Sequence, residues 1–80
     1  MKLFVKTGCP WCIDASEWLR ERGYAIKEIN VSRDPAAFTE MVRLSRQTLA
    51  PTLQVDDKVL PDFDTGQLAA FLDRHGIRPA

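Results

Sequence analysis

The chain has 80 residues, of which 45% are apolar and 28% charged, and its eleven basic and eleven acidic residues balance to a formal net charge of zero. That length bounds it to one small domain with one compact core, here expected to span residues 1–80. The composition gives no basic excess for nucleic acid and no acidic solvating tail, and no apolar run approaches a membrane span.

The first apolar run, Leu3-Phe4-Val5, is too short for the core of a signal peptide, and Lys6 ends it. The expected compartment is therefore the cytoplasm. Lys2 to Lys6 reads as a short buried strand. Thr7-Gly8 turns the chain into "CPWC", where Pro10 suits the first turn of a helix because its missing N–H would have no partner there. The helix follows from Trp11 to Arg22, with Cys12, Ala15, Ser16 and Leu19 on one face and Trp11 and Trp18 flanking it, and Gly23 stops it. Tyr24 to Val31 is expected as the second strand.

In "SRDPAAF", Asp34 is the N-cap and Pro35 the first residue of a second helix. That helix should run to Arg46 and bury Phe38, Met41, Val42 and Leu44. Pro51 interrupts the chain. Thr52 to Val55 and Lys58 to Leu60 form a hairpin around Asp56-Asp57. "DTGQ" offers a capping box, Asp64 reaching forward and Gln67 back. Leu68, Phe71 and Leu72 supply the apolar stripe of a last helix, which Gly76 ends. The order is βαβαββα. The first two strands, joined through a helix, should be parallel, and the fold class is an α/β domain with a four-stranded mixed sheet and helices on both faces.

Cys9 and Cys12, the two cysteines of the chain, admit four readings. A structural zinc site needs about four ligands, and His75 is the one histidine present. A structural disulfide across two residues constrains little of the unfolded chain, and cytosolic thiols are kept reduced. Two inert buried cysteines are the bland reading, but it leaves their place at a strand-to-helix turn unexplained. The fourth reading is thiol–disulfide exchange, the usual meaning of C-x-x-C in a βαβ setting. Cys9 would sit at the opening of the helix, where free N–H groups and the dipole favour negative charge. Its thiol should then titrate below the ordinary value and attack disulfides, with Cys12 one turn away to resolve the bond.

"KTGCPWC" resembles the active-site segment of the dithiol glutaredoxins, a branch of the thioredoxin superfamily. The aromatic residue before the second cysteine, most often Tyr in that family, is here Trp11, and the family's lysine three positions before the first cysteine is matched by Lys6. "LAPT" is similar to the family's threonine–valine–proline segment, which makes Pro51 the expected cis proline. The resemblance covers essentially the whole chain and implies a thioredoxin-like fold of the glutaredoxin type. It implies that Cys9 and Cys12 are catalytic, and that Ala50, before Pro51, offers its backbone to an incoming cysteine like one rung of an added strand. It also implies that Lys6 holds a substrate carboxylate and that Trp11 stands beside the sulfurs. Arg46 or Gln47 stands where the family places a basic or amide side chain for the glycine carboxylate of glutathione.

The start of the last helix, Asp64 and Thr65, stands where the family binds the γ-glutamyl carboxylate through N–H groups. There the chain departs from the family pattern: Pro61 and Asp62 replace a Gly-Gly pair, and a carboxylate at Asp62 would repel that ligand unless it points away or caps the helix.

The resemblance further implies protein disulfides or glutathione mixed disulfides as substrates, with glutathione as cosubstrate or a flavin-dependent reductase as electron source. It implies no metal, no bound organic cofactor and a monomer. A donor fed by thioredoxin reductase without glutathione is an alternative favoured by "LPDFD". An iron–sulfur cluster shared between two subunits, known in some members, is opposed by Pro10.

Overall fold

A computed structural model describes residues 1–79. The elements are β1 (Lys2–Val5), α1 (Pro10–Glu21), β2 (Lys27–Asn30), α2 (Pro35–Ser45), β3 (Thr52–Val55), β4 (Lys58–Pro61) and α3 (Thr65–Arg74). The sheet order is β2-β1-β3-β4. β1 pairs parallel with β2, Phe4 opposite Ile29, and antiparallel with β3, Leu3 opposite Leu53. β3 and β4 close the antiparallel hairpin. The architecture is the thioredoxin-like α/β sheet that the element order predicts.

Alternation along β1 divides the core. Leu3 and Val5 join Leu53 under α1 and α3, against Cys12, Ala15, Leu19, Leu68 and Leu72. Phe4 points to the opposite face and meets Val31, Ala37 and Met41 under α2. Helices therefore cover both faces of the sheet, with α1 and α3 together on one and α2 alone on the other.

The helix starts follow local chemistry. Asp34 caps α2 by accepting the Ala36 and Ala37 N–H groups at 3.1 and 3.2 Å. Asp64 caps α3 by accepting the Gln67 N–H at 2.8 Å, and Gln67 Oε1 accepts the Asp64 N–H at 3.0 Å.

Two expectations shift. β2 begins at Lys27, not Tyr24, because residues 24–26 first close the end of α1. Gly23 adopts φ +83°, the Tyr24 N–H donates to the Leu19 carbonyl, and the Tyr24 hydroxyl donates to the Ile77 carbonyl. Its ring stacks on Trp18 at 6.4 Å, with the Arg22 guanidinium 4.0 Å over the Trp18 ring, so Trp18 packs structurally.

On α2, Met41 and Ala37 are buried, whereas Phe38, Val42 and Leu44 are only half-buried. A lone helix on one face of a four-stranded sheet exposes its flanks. α2 stops at Ser45 because Arg46 takes the left-handed conformation, φ +57°.

On α1, Leu19 is fully buried and Ile13 is more than half exposed. Leu19→Ala is expected to lower unfolding free energy by about 2–5 kcal/mol, and Ile13→Ala to stay within about 0.5 kcal/mol. Urea titration of the two variants checks this, and equal losses would contradict the packing described.

Candidate active site

The two sulfurs meet where β1 hands the chain to α1. Gly8 turns it with φ +72°, a conformation that costs residues with a Cβ. Across the sheet top, Asn30 donates its side-chain amide to the Thr7 hydroxyl at 3.1 Å, and the Ser32 hydroxyl accepts the Thr7 N–H at 3.2 Å. Those two bonds pin the turn from β2.

Cys9 is the N-cap of α1, with extended φ and ψ of −97° and 106°. Its Sγ accepts the Cys12 N–H at 3.2 Å, and its carbonyl accepts the first helical bond, from the Ile13 N–H at 3.1 Å. The sulfur thus occupies the position where a helix opening offers unpaired donors. Cys12 is buried against the core while Cys9 is half-buried. The two are bonded as a disulfide, with Cα atoms 5.2 Å apart.

The second wall comes from the loop between α2 and β3. Its Ala50–Pro51 peptide bond is cis, and the Ala50 carbonyl oxygen lies 3.8 Å from Cys9 Sγ. Gln47 braces this loop. Its Oε1 accepts the Leu49 N–H, and its Nε2 faces Ser45 Oγ, the Leu49 carbonyl and Thr52 Oγ1 at 2.9, 3.1 and 3.1 Å. The fully buried Thr52 donates its hydroxyl to the same Leu49 carbonyl at 2.9 Å. Pro51 accepts the Asp62 N–H at 2.9 Å, which ties the loop to the segment before α3.

The remaining expected residues sort by location. Trp11 stands beside the sulfurs with 61% of its surface exposed. Lys6 turns to the α2–β3 loop: its Nζ donates to the Thr48 carbonyl at 2.6 Å and lies 5.9 Å from the centre of the Phe38 ring. Gln47 faces inward and Arg46 is exposed. The Asp64 N–H is engaged by Gln67 within the capping box. Asp62 adopts φ +46°, the left-handed conformation that an aspartate tolerates better than most residues. Asp62, Asp64, Phe63, Gln67 and Trp11 line one cleft of about 230 Å³, so the start of α3 and the C-x-x-C turn share a wall. His75 ends α3 and packs edge-on against Phe71 at 4.8 Å.

The brace made by Gln47 and Thr52, and the pinning of the first turn by Asn30 and Ser32, were not foreseen. Sequence reasoning set Gln47 against a ligand. The signal for its actual role is a buried threonine five positions on, whose hydroxyl oxygen accepts from the Gln47 amide.

Comparison with known proteins places this geometry. Residues 1–60 match the glutaredoxin family model. Glutaredoxin 3 of Escherichia coli strain K12 is 27% identical over 79 residues, covering 99% of this chain and 93% of that protein. A glutaredoxin-like 8.6 kDa protein in the rubredoxin operon of Clostridium pasteurianum is 24% identical over 74 residues, 92% and 99% of the two chains. Among solved structures, the thioredoxin-like protein BC3987 superposes with a TM-score of 0.80 at 25% identity, covering 89% of this chain and 97% of its own. Wheat glutaredoxin superposes with a TM-score of 0.69 at 16% identity, covering 95% and 72%, a likeness of fold.

Because Gln47 serves several loop groups at once, Gln47→Leu is expected to destabilise the chain by about 1–3 kcal/mol, the cost of leaving such groups unpaired. It should also lower the melting temperature. Thermal unfolding followed by circular dichroism measures this, and an unchanged midpoint would show that the brace carries no stability.

Proposed function

This chain belongs to the glutaredoxin family, and from that premise we propose that it reduces protein disulfides or glutathione mixed disulfides through the Cys9–Cys12 dithiol. The observation that carries the reading is the placement of Cys9 Sγ as the cap of α1, with the Cys12 N–H on the sulfur and Cys12 itself buried one turn behind. A thiolate there gains the attraction of the helix opening. A buried second sulfur is shielded from substrate and free to resolve.

The Cys9 thiolate attacks one sulfur of the target disulfide. The target bond breaks, a Cys9–target bond forms, and the released sulfur takes a proton from solvent. Cys12 then loses its proton and attacks Cys9 Sγ, the mixed bond breaks, and the second target sulfur leaves as a thiol. The target has gained two electrons and the chain holds the Cys9–Cys12 disulfide. Two glutathione molecules, or the dithiol of a flavin-dependent reductase, return the two electrons. Ala50 presents its backbone to the target cysteine, and the cleft beside Trp11 receives the residues next to it. The chemistry uses no bound metal or organic cofactor.

A second reading, a donor fed by thioredoxin reductase without glutathione, draws support from how the side chains are engaged. Lys6 bonds to Thr48, Gln47 to its own loop, and the Asp64 N–H to Gln67. Each is a group that the family resemblance would turn toward a glutathione carboxylate. Comparing turnover with glutathione and its reductase against turnover with thioredoxin reductase separates the two.

Cys9→Ser is expected to bring reduction of a glutathionylated peptide to background, while Cys12→Ser keeps a glutathione-resolved route. Full activity in Cys9→Ser would refute the assignment of roles. In the reduced protein, the pH profile of Cys9 alkylation should have its midpoint below the ordinary thiol value of about 8.5. A midpoint at or above that value would remove the helix-opening argument.

A further inference from the structure

The loop before β3 leaves one backbone acceptor facing Cys9, and the carbonyls around it are engaged elsewhere. The Thr48 carbonyl accepts from Lys6 Nζ at 2.6 Å. The Leu49 carbonyl accepts from Gln47 Nε2 and the Thr52 hydroxyl, and the Pro51 carbonyl from the Asp62 N–H. The Ala50 carbonyl instead lies 3.8 Å from Cys9 Sγ. Ala50 is half-buried, and a backbone acceptor withdrawn from water is costly to leave without a donor. In the reduced protein, the Cys9 S–H is a donor within its reach.

The direction of that carbonyl is set by its neighbours. Gln47 Oε1 accepts the Leu49 N–H at 2.6 Å while Nε2 reaches the Leu49 carbonyl at 3.1 Å, so one side chain grips both polar groups of Leu49. Thr52, fully buried on β3, donates to the same carbonyl at 2.9 Å and faces Gln47 Nε2 at 3.1 Å. On the far side, the Pro51 carbonyl is tied to the Asp62 N–H, and the Pro51 ring fixes its own φ. The Ala50–Pro51 peptide thus sits between two anchored peptides, with little freedom to turn its oxygen away from the sulfur.

Two effects at Cys9 share a sign. A thiol that donates to a carbonyl is favoured in its protonated form. A thiolate at the same place faces the negative end of the carbonyl dipole. Both oppose the helix opening, which favours the thiolate. The charged and titratable groups around Cys9 are otherwise engaged or turned to solvent. Lys6, at the end of β1, is bonded to Thr48, and Cys12 is buried on α1. Asp14 and Glu17 on α1 and Arg46 before the loop are exposed. Asp62 and Asp64 line the cleft beside Trp11 and also disfavour a thiolate through space.

We infer that Gln47 and Thr52 are positioning residues for the reaction: by anchoring Leu49 they hold the Ala50 carbonyl on Cys9 Sγ, and so keep protonated a fraction of Cys9 that the helix opening alone would ionise. This inference rests on the thiol–disulfide exchange reading above. It gives the amide and the hydroxyl a part in the chemistry besides their part in the stability of the loop.

The test reads Cys9 alone. The reduced protein is alkylated with iodoacetamide across a pH series, and modification of Cys9 is followed by peptide mass. Thr52→Val keeps the shape of the side chain and removes its hydroxyl. It should lower the Cys9 midpoint by about half a unit, roughly a threefold gain in acid dissociation. Gln47→Leu should move the midpoint in the same direction. Thr52→Ser keeps the hydroxyl and should leave the midpoint where it stands in the unsubstituted chain. At a pH well below the midpoint, Thr52→Val should be alkylated about twofold faster, because lower basicity takes back part of the gain in thiolate. Mere loosening of the fold has the opposite sign, since an unfolded Cys9 titrates near the ordinary value of about 8.5. Leu19→Ala, which weakens the core and leaves the hydrogen-bonding groups of the loop in place, is the control.

A midpoint that stays or rises in either Thr52→Val or Gln47→Leu would overturn the inference, as would an equal fall in Thr52→Ser or in Leu19→Ala. A midpoint at or above about 8.5 in the unsubstituted chain would overturn the thiolate reading itself, whatever the variants do.

Discussion

Every other feature of the site depends on one sulfur held at the opening of a helix. Cys9 stands where a serine or aspartate would ordinarily cap α1, and the Cys12 N–H approaches its Sγ at 3.2 Å. A cap made of sulfur is a weaker acceptor than one made of oxygen when neutral and a better-served one when charged. A helix opening of this kind favours negative charge at its cap position. Pro10 adds to this by fixing the first turn without needing a partner for an N–H. The capping contacts are also those on which the proposed reactivity rests.

The backbone group that faces that sulfur comes from far away in the chain. Ala50 is brought to 3.8 Å of Cys9 Sγ because β1 and β3 are neighbours in the sheet, with Leu3 opposite Leu53. The sheet sets the approach and the polar brace sets the detail. Gln47 and Thr52 tie the loop internally, and Asp62 ties it to the start of α3 through the Pro51 carbonyl. Three segments of the chain are thus tied together around the two sulfurs: the C-x-x-C turn, the loop before β3 and the segment before α3.

Much of this was legible beforehand, for reasons that are local. The helix starts at Pro10 and Pro35 and the cap at Asp64 follow from which residues need no N–H partner or can serve unpaired N–H groups, and the parallel pairing of the first two strands follows from the crossover between them. The place of the cysteine pair at a strand-to-helix turn, with Cys9 at the helix opening, was readable from its spacing and from Pro10. What escaped was set by tertiary packing. The apolar content of "YAI" reads as strand, but Tyr24 is taken by Trp18 and the Ile77 carbonyl, so the strand begins three residues later. Gln47 reads as an exposed amide near a ligand site, and only the folded loop reveals that its partners are internal. Pro61-Asp62 reads as a departure from a glycine pair. In the structure Asp62 adopts the left-handed conformation that a glycine would take freely, and it adds a carboxylate there.

The outer strands carry a consequence for how this molecule meets other chains. β2 and β4 lie at the two ends of the sheet order, and each is four residues long. Lys27 and Glu28 are exposed on β2, and Pro61, which has no N–H to give, ends β4. Short, charged, proline-terminated borders resist zipping onto foreign strands and so guard against runaway aggregation. With both borders guarded in this way, pairing with a foreign strand is discouraged at either end of the sheet, while the Ala50 carbonyl next to Pro51 stays 3.8 Å from Cys9 Sγ, well inside those borders.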